Sequence, residues 1–440
     1  MTNTFQKNAE RRDRLLAALP KGSLALIPSN QVCYHNQDSS YSFRQNSNFY
    51  YLTGLAEPGH LLLLFKDESS YNHSHIFSPE YNKQRLQWEG DYFNNQTVAQ
   101  HFGIDQATPL KQAAALLSDY CDKARSIYSA LPQAKWQSLT NLVPDFTIKP
   151  AYSDKLADIL PPLHKLRLIK SPAEIALMQK AADISIQAHL QAMQKCSPGM
   201  MEYQLEAEFD YTCKHAGAQV MAYDSIVAGG SNACVLHYQQ NNQSLNDGDL
   251  LLIDAGCAYQ NYASDITRTY PVNGRFSPAQ AAIYDLVLEA QERAISIVSE
   301  GQTLERIHQQ ALEIIAKGLL DLSILSGSLN EILDKKLYKP FFMHGIGHSL
   351  GLDVHDPGIK RGKDDQLKAG MVITVEPGIY VNPDNQQVAP QWRGIGVRIE
   401  DDILVTKQGA RNLTQALPKT RKAIERIMNT KSNLDEHTTH

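Results

Sequence analysis

Two stretches decide how this chain is read: GDLLLIDAG at 248–256 and GMVITVEPG at 370–378. Aligned on Gly248 and Gly370, each is an apolar strand ending in an acid, one further residue and a glycine. The endings are Asp254-Ala255-Gly256 and Glu376-Pro377-Gly378. An aromatic-containing turn follows each, then a second strand with another acid. The first runs on to Asp265 in ASDITRTYPV, the second to Glu400 in GIGVRIEDDILVT. Two β-hairpins of matching design thus present two carboxylates each. Within DLLLID, Leu250, Leu252 and Asp254 share one face, because strand side chains alternate. An acid at the end of an apolar strand is exposed to burial, and a buried carboxylate demands a cation or a proton.

Arg268 or Arg398 could satisfy one such acid. Four acids ask for more positive charge than two arginines supply, and metal ions answer that demand. Carboxylates can bridge two cations about 3.5–4 Å apart. Taken singly, Glu400 reads as a surface charge and Asp265 as a turn cap; the paired design argues otherwise. A source of imidazole lies nearby in FFMHGIGHSLGLDVHD, 341–356, which holds His344, His348 and His355. A histidine pair spaced by four could mark one face of a helix. Gly345 and Gly347 lie between this pair, and each costs a helix interior roughly 1 kcal/mol, so the stretch reads as strand or loop. Leu350 stands where a dinucleotide fingerprint needs its third glycine. Four carboxylates and one imidazole make an oxygen-rich, hard site, suited to Mn²⁺ more than to structural zinc.

The 440 residues are too many for one ordinary core, so two domains are expected. Hydrophobic content of 42% and charged content of 20% fit a soluble globular protein. A formal net charge of -5 without long runs gives no reason to expect a nucleic-acid or anionic-membrane partner. The opening MTNTFQKNAERRDRLLAAL carries charge where a signal peptide needs apolar residues. No apolar run approaches the ~20 residues of a membrane span. Six scattered cysteines with no CxxC pair argue for reduced thiols in a cytoplasmic protein, and against a zinc ribbon.

Along the chain, residues 1 to 165 read as a mixed α/β domain. NAERRDRLLAALP opens with a helix, SLALIP, HLLLLF, HSHIFS and SIYSAL read as strands, and LKQAAALLSDYCDKA as a helix. The segment YSDKLADILPPLHKLRLIKSPAE breaks the pattern with Pro161, Pro162 and Pro172, and the domain junction is placed there. Ser171, Pro172 and Glu174 then form a helix start with a capping box, predicting a helix to about Cys196. Further helices are predicted over 202–215, 278–299 and 303–319. The second domain is assigned 166–430, and 431–440 a polar tail in which His437 and His440 carry no functional weight.

Taken together, Asp254, Asp265, HGIGHSLGLDVHD, VEPGIY and GIGVRIEDD closely resemble the Xaa-Pro aminopeptidase (aminopeptidase P) family of metallopeptidases. The stretch YSFRQNSNFYYLTGLAEPGHLLLLF, 41–65, resembles that family's N-terminal domain, so the likeness covers nearly the whole chain. No ligand position departs from the family pattern. The resemblance implies an α/β (α+β) chain: an N-terminal α/β domain for substrate access and oligomerisation, then a pita-bread catalytic domain with a pseudo-twofold repeat of β-hairpins. It implies two Mn²⁺ per chain, with Asp254 on one ion, His348 and Glu376 on the other, and Asp265 and Glu400 bridging. A water between the ions, acidified by them, would attack the first peptide bond.

Further roles follow from the same resemblance. Glu376 shuttles the proton, His355 donates to the carbonyl oxygen, and His237 lies in the cleft. His344 and Arg398 contact the proline side. The spacing of Arg398 and Glu400 would put both on one strand face; Arg398 read plainly is a charge partner of Glu400 or Asp38. Trp88 is an aromatic offered to a neighbouring subunit's cleft, or simply an interface or core residue. The expected substrates are peptides with an N-terminal Xaa-Pro, and the expected assembly is a homo-oligomer, dimer or tetramer. Prolidase, which cuts only Xaa-Pro dipeptides, is the nearest alternative. Methionine aminopeptidase needs no large N-terminal domain, creatinase relatives lack these ligands, and non-catalytic pita-bread modules typically lose ligands and gain charged extensions.

Overall fold

The computed structural model describes residues 2–130, 136–147, 149–358 and 365–430. The chain divides into two compact units, Met1–Arg167 and Leu168–His440. The polar tail, with His437 and His440, lies outside the described residues.

The first unit contains α1 (Thr2–Ala18), β1 (Ser23–Pro28), α2 (Ser47–Thr53), β2 (Leu61–Lys66), β3 (Asn72–Ser78), α3 (Lys83–Glu89), α4 (Val98–Phe102) and β4 (Gln106–Pro109). After these come α5 (Ala113–Lys123), β5 (Ser126–Ser129), α6 (Trp136–Leu142), β6 (Leu156–Asp158) and α7 (Leu160–Leu168). Its strands form one sheet in the order β4-β3-β2-β1-β5-β6. The strands β1, β2 and β3 pair antiparallel, while β3–β4, β1–β5 and β5–β6 pair parallel. The apolar run Leu61 to Leu64 is buried on both faces, which is what a covered sheet requires. The boundary between the units, after Arg167, falls in the proline-containing segment. Pro161 and Pro162 there sit in the first turn of α7, where a missing N–H is tolerated.

The second unit opens with α8 (Pro172–Lys195) and α9 (Glu202–His215). Strands β7 (Val220–Met221), β8 (Ile226–Gly229), β9 (Leu250–Asp254), β10 (Cys257–Tyr259), β11 (Tyr262–Ala263) and β12 (Thr267–Pro271) come next. Three helices follow, α10 (Pro278–Ser296), α11 (Leu304–Asp321) and α12 (Leu329–Asp334). The unit ends with β13 (Val372–Val375), β14 (Gly378–Tyr380), β15 (Gly396–Arg398), β16 (Asp401–Thr406), β17 (Gly409–Asn412) and α13 (Arg421–Asn429). Both long helices that open with Ser-Pro carry a full capping box: Ser171 with Glu174 on α8, and Ser277 with Gln280 on α10.

The two echoed stretches form the expected hairpins. In the first, β9 pairs antiparallel with β12, Asp254 opposite Thr267. In the second, β13 pairs antiparallel with β16, Val375 opposite Asp401. Each hairpin encloses a smaller strand pair, β10–β11 and β14–β15. The helices α8 to α11 bury their apolar faces in one core with the inner residues of both hairpins. Ile307, Ala311, Ile315 and Leu319 of α11 are spaced for one such face.

Candidate active site

The four acids sit at strand ends and junctions. Asp254 ends β9, Asp265 lies in the short link before β12, Glu376 directly follows β13, and Glu400 separates β15 from β16. The single strand expected through Arg398 and Glu400 is therefore broken at 399–400. Two glycines permit the close backbone approach this needs. A Cβ on Gly256 would lie 2.0 Å from the Ser264 carbonyl oxygen, and one on Gly347 2.0 Å from that of Thr374. His348 lies in a loop, not a helix. Its N–H donates to Thr374 Oγ1 at 3.1 Å, and its carbonyl accepts the Thr374 N–H at 2.9 Å, so the loop is fastened to β13.

These side chains converge. His348 Nε2 lies 3.3 Å from Asp265 Oδ2 and 3.8 Å from Glu376 Oε1. Ligand atoms of Asp265, His348 and Glu400 all lie within 4.8 Å of one another. Asp265 and Glu400 are buried, while Asp254, Glu376 and His348 are partly exposed. All five expected ligands, together with His237, His344, His355 and Arg398, line one cavity of about 420 Å³.

The electrostatics reveal a shortage of positive charge. Burial raises the Glu400 carboxyl well above its usual range, and the neighbouring Asp265, Glu376 and Asp254 add to the effect. Burial likewise pushes Glu376 up to about 7, against the pull of His348 and Arg398. Burial would lower His348, yet the hydrogen bond and charge of Asp265, helped by Glu376, push it up to about 9. The carboxyl of Asp402, which accepts the Asp265 N–H at 3.1 Å, is raised by burial and by Asp265. The raised carboxyls reflect more buried acid than the neighbouring cations balance. A buried, oxygen-rich donor set with one imidazole fits hard divalent ions.

Arg398 is the arginine among the described residues that line the cavity. Its Nη2 donates to Asp254 Oδ2 at 2.6 Å, its Nη1 to the Tyr380 hydroxyl at 3.1 Å, and its Nε to Thr267 Oγ1 at 3.2 Å. Its acidic partner is therefore Asp254, not Glu400. Sequence reading missed several members of this cluster. The Tyr223 hydroxyl hydrogen-bonds both Asp254 and Asp265, and Thr267 Oγ1 donates to Glu400 Oε2 at 2.7 Å. Behind Glu400, Arg268 Nη1 donates to its carbonyl at 2.7 Å, and Nη2 pairs with Asp401 at 2.7 Å.

The histidines differ in their surroundings. His344 is half-buried, with Nε2 2.8 Å from the Tyr380 hydroxyl and Nδ1 2.8 Å from the Gly345 carbonyl. His355 is exposed and stands edge-on to the His348 ring, with centroids 4.4 Å apart. A buried ion pair, Lys170 to Asp356 at 3.1 Å, fixes the chain next to it. His237 is exposed on the loop between β8 and β9. That loop is tied down by the buried Glu202, which accepts from the Gly229 and Gln243 N–H groups, the Asn232 amide and the Tyr238 hydroxyl. Asp38 and Trp88 belong to the first unit, where both are exposed.

A family model described as metallopeptidase family M24 matches residues 176–407, and one described as aminopeptidase P, N-terminal domain, matches residues 8–128. A Xaa-Pro aminopeptidase of Haemophilus influenzae is 42% identical, over 96% of this chain and 96% of its own. Proline aminopeptidase P II from Yersinia pestis superposes with a TM-score of 0.91 at 40% identity, covering 97% of this chain and 100% of that one. Escherichia coli aminopeptidase P with the inhibitor Pro-Leu gives 0.92 at 38%, covering 98% and 99%. Matched over both units, and carrying the acid-rich cluster in its second, pita-bread unit, the chain belongs to the aminopeptidase P family of M24 metallopeptidases.

Proposed function

We propose that this chain is a Xaa-Pro aminopeptidase that depends on two divalent ions, Mn²⁺ in the cell, and releases the first residue of peptides with proline second. The observation that carries this reading is the convergence of Asp254, Asp265, His348, Glu376 and Glu400 on one cavity also lined by His237, His344, His355 and Arg398. Asp254 would hold one ion, His348 and Glu376 the other, and Asp265 and Glu400 both. When bound, the ions supply Lewis acidity toward the scissile carbonyl and lower the pKa of water.

The remaining chemistry belongs to side chains. Glu376 takes a proton from the attacking water and delivers it to the leaving nitrogen. That nitrogen is the proline's secondary amine, which must be protonated to depart. His355 donates toward the carbonyl oxygen as negative charge builds there, and His237 lines the cleft beside it. His344 and Arg398, joined through Tyr380, contact the proline side. Proline has no N–H and a fixed φ, so recognition there relies on the ring's shape.

The first unit serves substrate access and assembly in this reading. Its exposed Trp88 is offered to a neighbouring subunit's cleft, and its exposed Asp38 serves on the substrate side. Six free cysteines suit a reducing cytoplasm; among the described residues no helix is long and apolar enough to cross a membrane. The test is a Mn²⁺-loaded assay on matched peptides. Xaa-Pro tripeptides and longer chains should lose one residue, and alanine in place of the proline should cut turnover severely. Cleavage confined to dipeptides would make the protein a prolidase instead.

A further inference from the structure

Two polar side chains are buried on the core face of α8 and take no part in the proposed chemistry. Ser185 and His189 are both fully buried, one helical turn apart, among Ala181, Ile184, Ala188 and Ala192. A buried polar group is costly unless it is hydrogen-bonded. Both direct their bonds to one short stretch, the link between Asp254 and Asp265. His189 Nε2 lies 3.0 Å from the Ala255 carbonyl oxygen. A carbonyl only accepts, so Nε2 carries the hydrogen and donates. The other ring nitrogen, Nδ1, is buried with no partner among the described residues. Ser185 Oγ accepts the Cys257 N–H at 3.0 Å and shares a hydrogen bond with Ser264 Oγ at 2.8 Å. Ala255 directly follows Asp254, and Ser264 directly precedes Asp265. The helix therefore grips the chain beside each of the two acids. The link also closes on itself: the Ala255 N–H donates to the Ile266 carbonyl and the Ser264 N–H to the Cys257 carbonyl, both at 3.1 Å.

We propose that Ser185 and His189 are positioning residues: they fix the backbone on which Asp254 and Asp265 stand, and so set the separation of those two carboxylates. The assignment rests on the proposed two-ion site, in which Asp254 holds one ion and Asp265 both. Freeing the link lets Asp254 move relative to Asp265. The ion on Asp254 then suffers more than the ion on His348 and Glu376, which hang from the other hairpin and the loop fastened to it. A purely structural role for the two side chains would make no such distinction between the ions.

The test titrates chelator-stripped protein with Mn²⁺. Electron paramagnetic resonance reads free Mn²⁺ and the spin-coupled pair, and Tm is measured on the same samples. His189→Phe keeps a ring against Phe209, whose centroid lies 5.0 Å away, and removes the donor. His189→Gln restores an N–H donor near the place of Nε2. Ser185→Ala is the milder variant, and it decides the matter alone if His189→Phe does not fold. Removing an outer hydrogen-bond partner of a metal site typically costs roughly 10- to 100-fold in metal affinity. In His189→Phe one Mn²⁺ should therefore weaken by that factor while the other stays close to wild type, and the coupled-pair signal should fade with it. Ser185→Ala should give the same split at smaller size, and His189→Gln should recover most of the loss. Wild-type binding of both ions in a folded variant overturns the assignment for that residue, whatever its Tm. So does equal weakening of the two ions, or a loss that His189→Gln does not lessen. Wild-type protein that binds fewer than two Mn²⁺ would overturn the two-ion reading itself.

Discussion

Removing Asp401 tests whether the charge network behind Glu400 supports the site. Asp401 and Arg268 are both fully buried and pair at 2.7 Å. Asp401 also accepts from Lys419 Nζ at 2.8 Å, Gln291 at 2.9 Å, Asn412 at 3.0 Å and Thr414 at 2.8 Å. Burial would raise its pKa, but Arg268 and Lys419 hold it well below the usual carboxylate range. Asp401→Ala leaves the Arg268 guanidinium buried without a counter-ion. Breaking such a pair costs roughly 3–5 kcal/mol, and a unit of this size loses about 2–4 °C per kcal/mol. The expected fall in Tm is roughly 6–20 °C. Arg268→Met should cost less, because Lys419 still neutralises Asp401. Its main losses are the donors to the Glu400 and Leu417 carbonyls, roughly 1–3 kcal/mol. Arg268→Met/Asp401→Leu should melt above Asp401→Ala, since apolar replacement of both partners removes the buried charge. Thermal unfolding followed by tryptophan fluorescence and circular dichroism orders the three variants. A Tm for Asp401→Ala within about 2 °C of wild type, less than the loss of one kcal/mol would produce, or a larger loss in Arg268→Met, would refute the reasoning.

Two shorter predictions concern the histidines. His348→Ala should lose metal and activity together, whereas His355→Ala should keep its metal and lose roughly 10²–10³ in kcat with little change in KM. Metal analysis alongside kinetics separates them, and equal metal loss in both would put His355 among the ligands. In the first unit, burial pushes His60 down to about 3, while its unfolded imidazole titrates near ~6.5. Between those values the unfolded state binds the extra proton, so stability rises with pH across the window and is lost as pH falls. At pH 5 the loss is about 2 kcal/mol. His60→Gln should flatten the dependence of Tm on pH between about 4 and 6.5; an unaltered slope would assign the acid sensitivity elsewhere.

The parts of the site legible in the sequence were those written into one local segment. The hairpin acids end apolar strands, and an acid in that position declares itself through alternation and the cost of burial. The helix start at Ser171 was equally local, a few residues of capping chemistry. What stayed illegible depends on which segments meet. Lys170 and Asp356 are 186 residues apart, and Glu202 reaches donors 27 to 41 residues away. Tyr223 had no sequence signal, and Tyr380 only its place in VEPGIY. Arg398 was placed beside Glu400 by spacing. The chain breaks from strand geometry after it, and its guanidinium reaches Asp254 on the other hairpin.

The most direct test of the metal-centred site is a Mn²⁺ titration of chelator-stripped protein, with bound metal and Xaa-Pro-Ala turnover measured on the same samples. Turnover should be absent without metal and rise with occupancy toward about two ions per chain. Full turnover at zero bound metal would contradict the account.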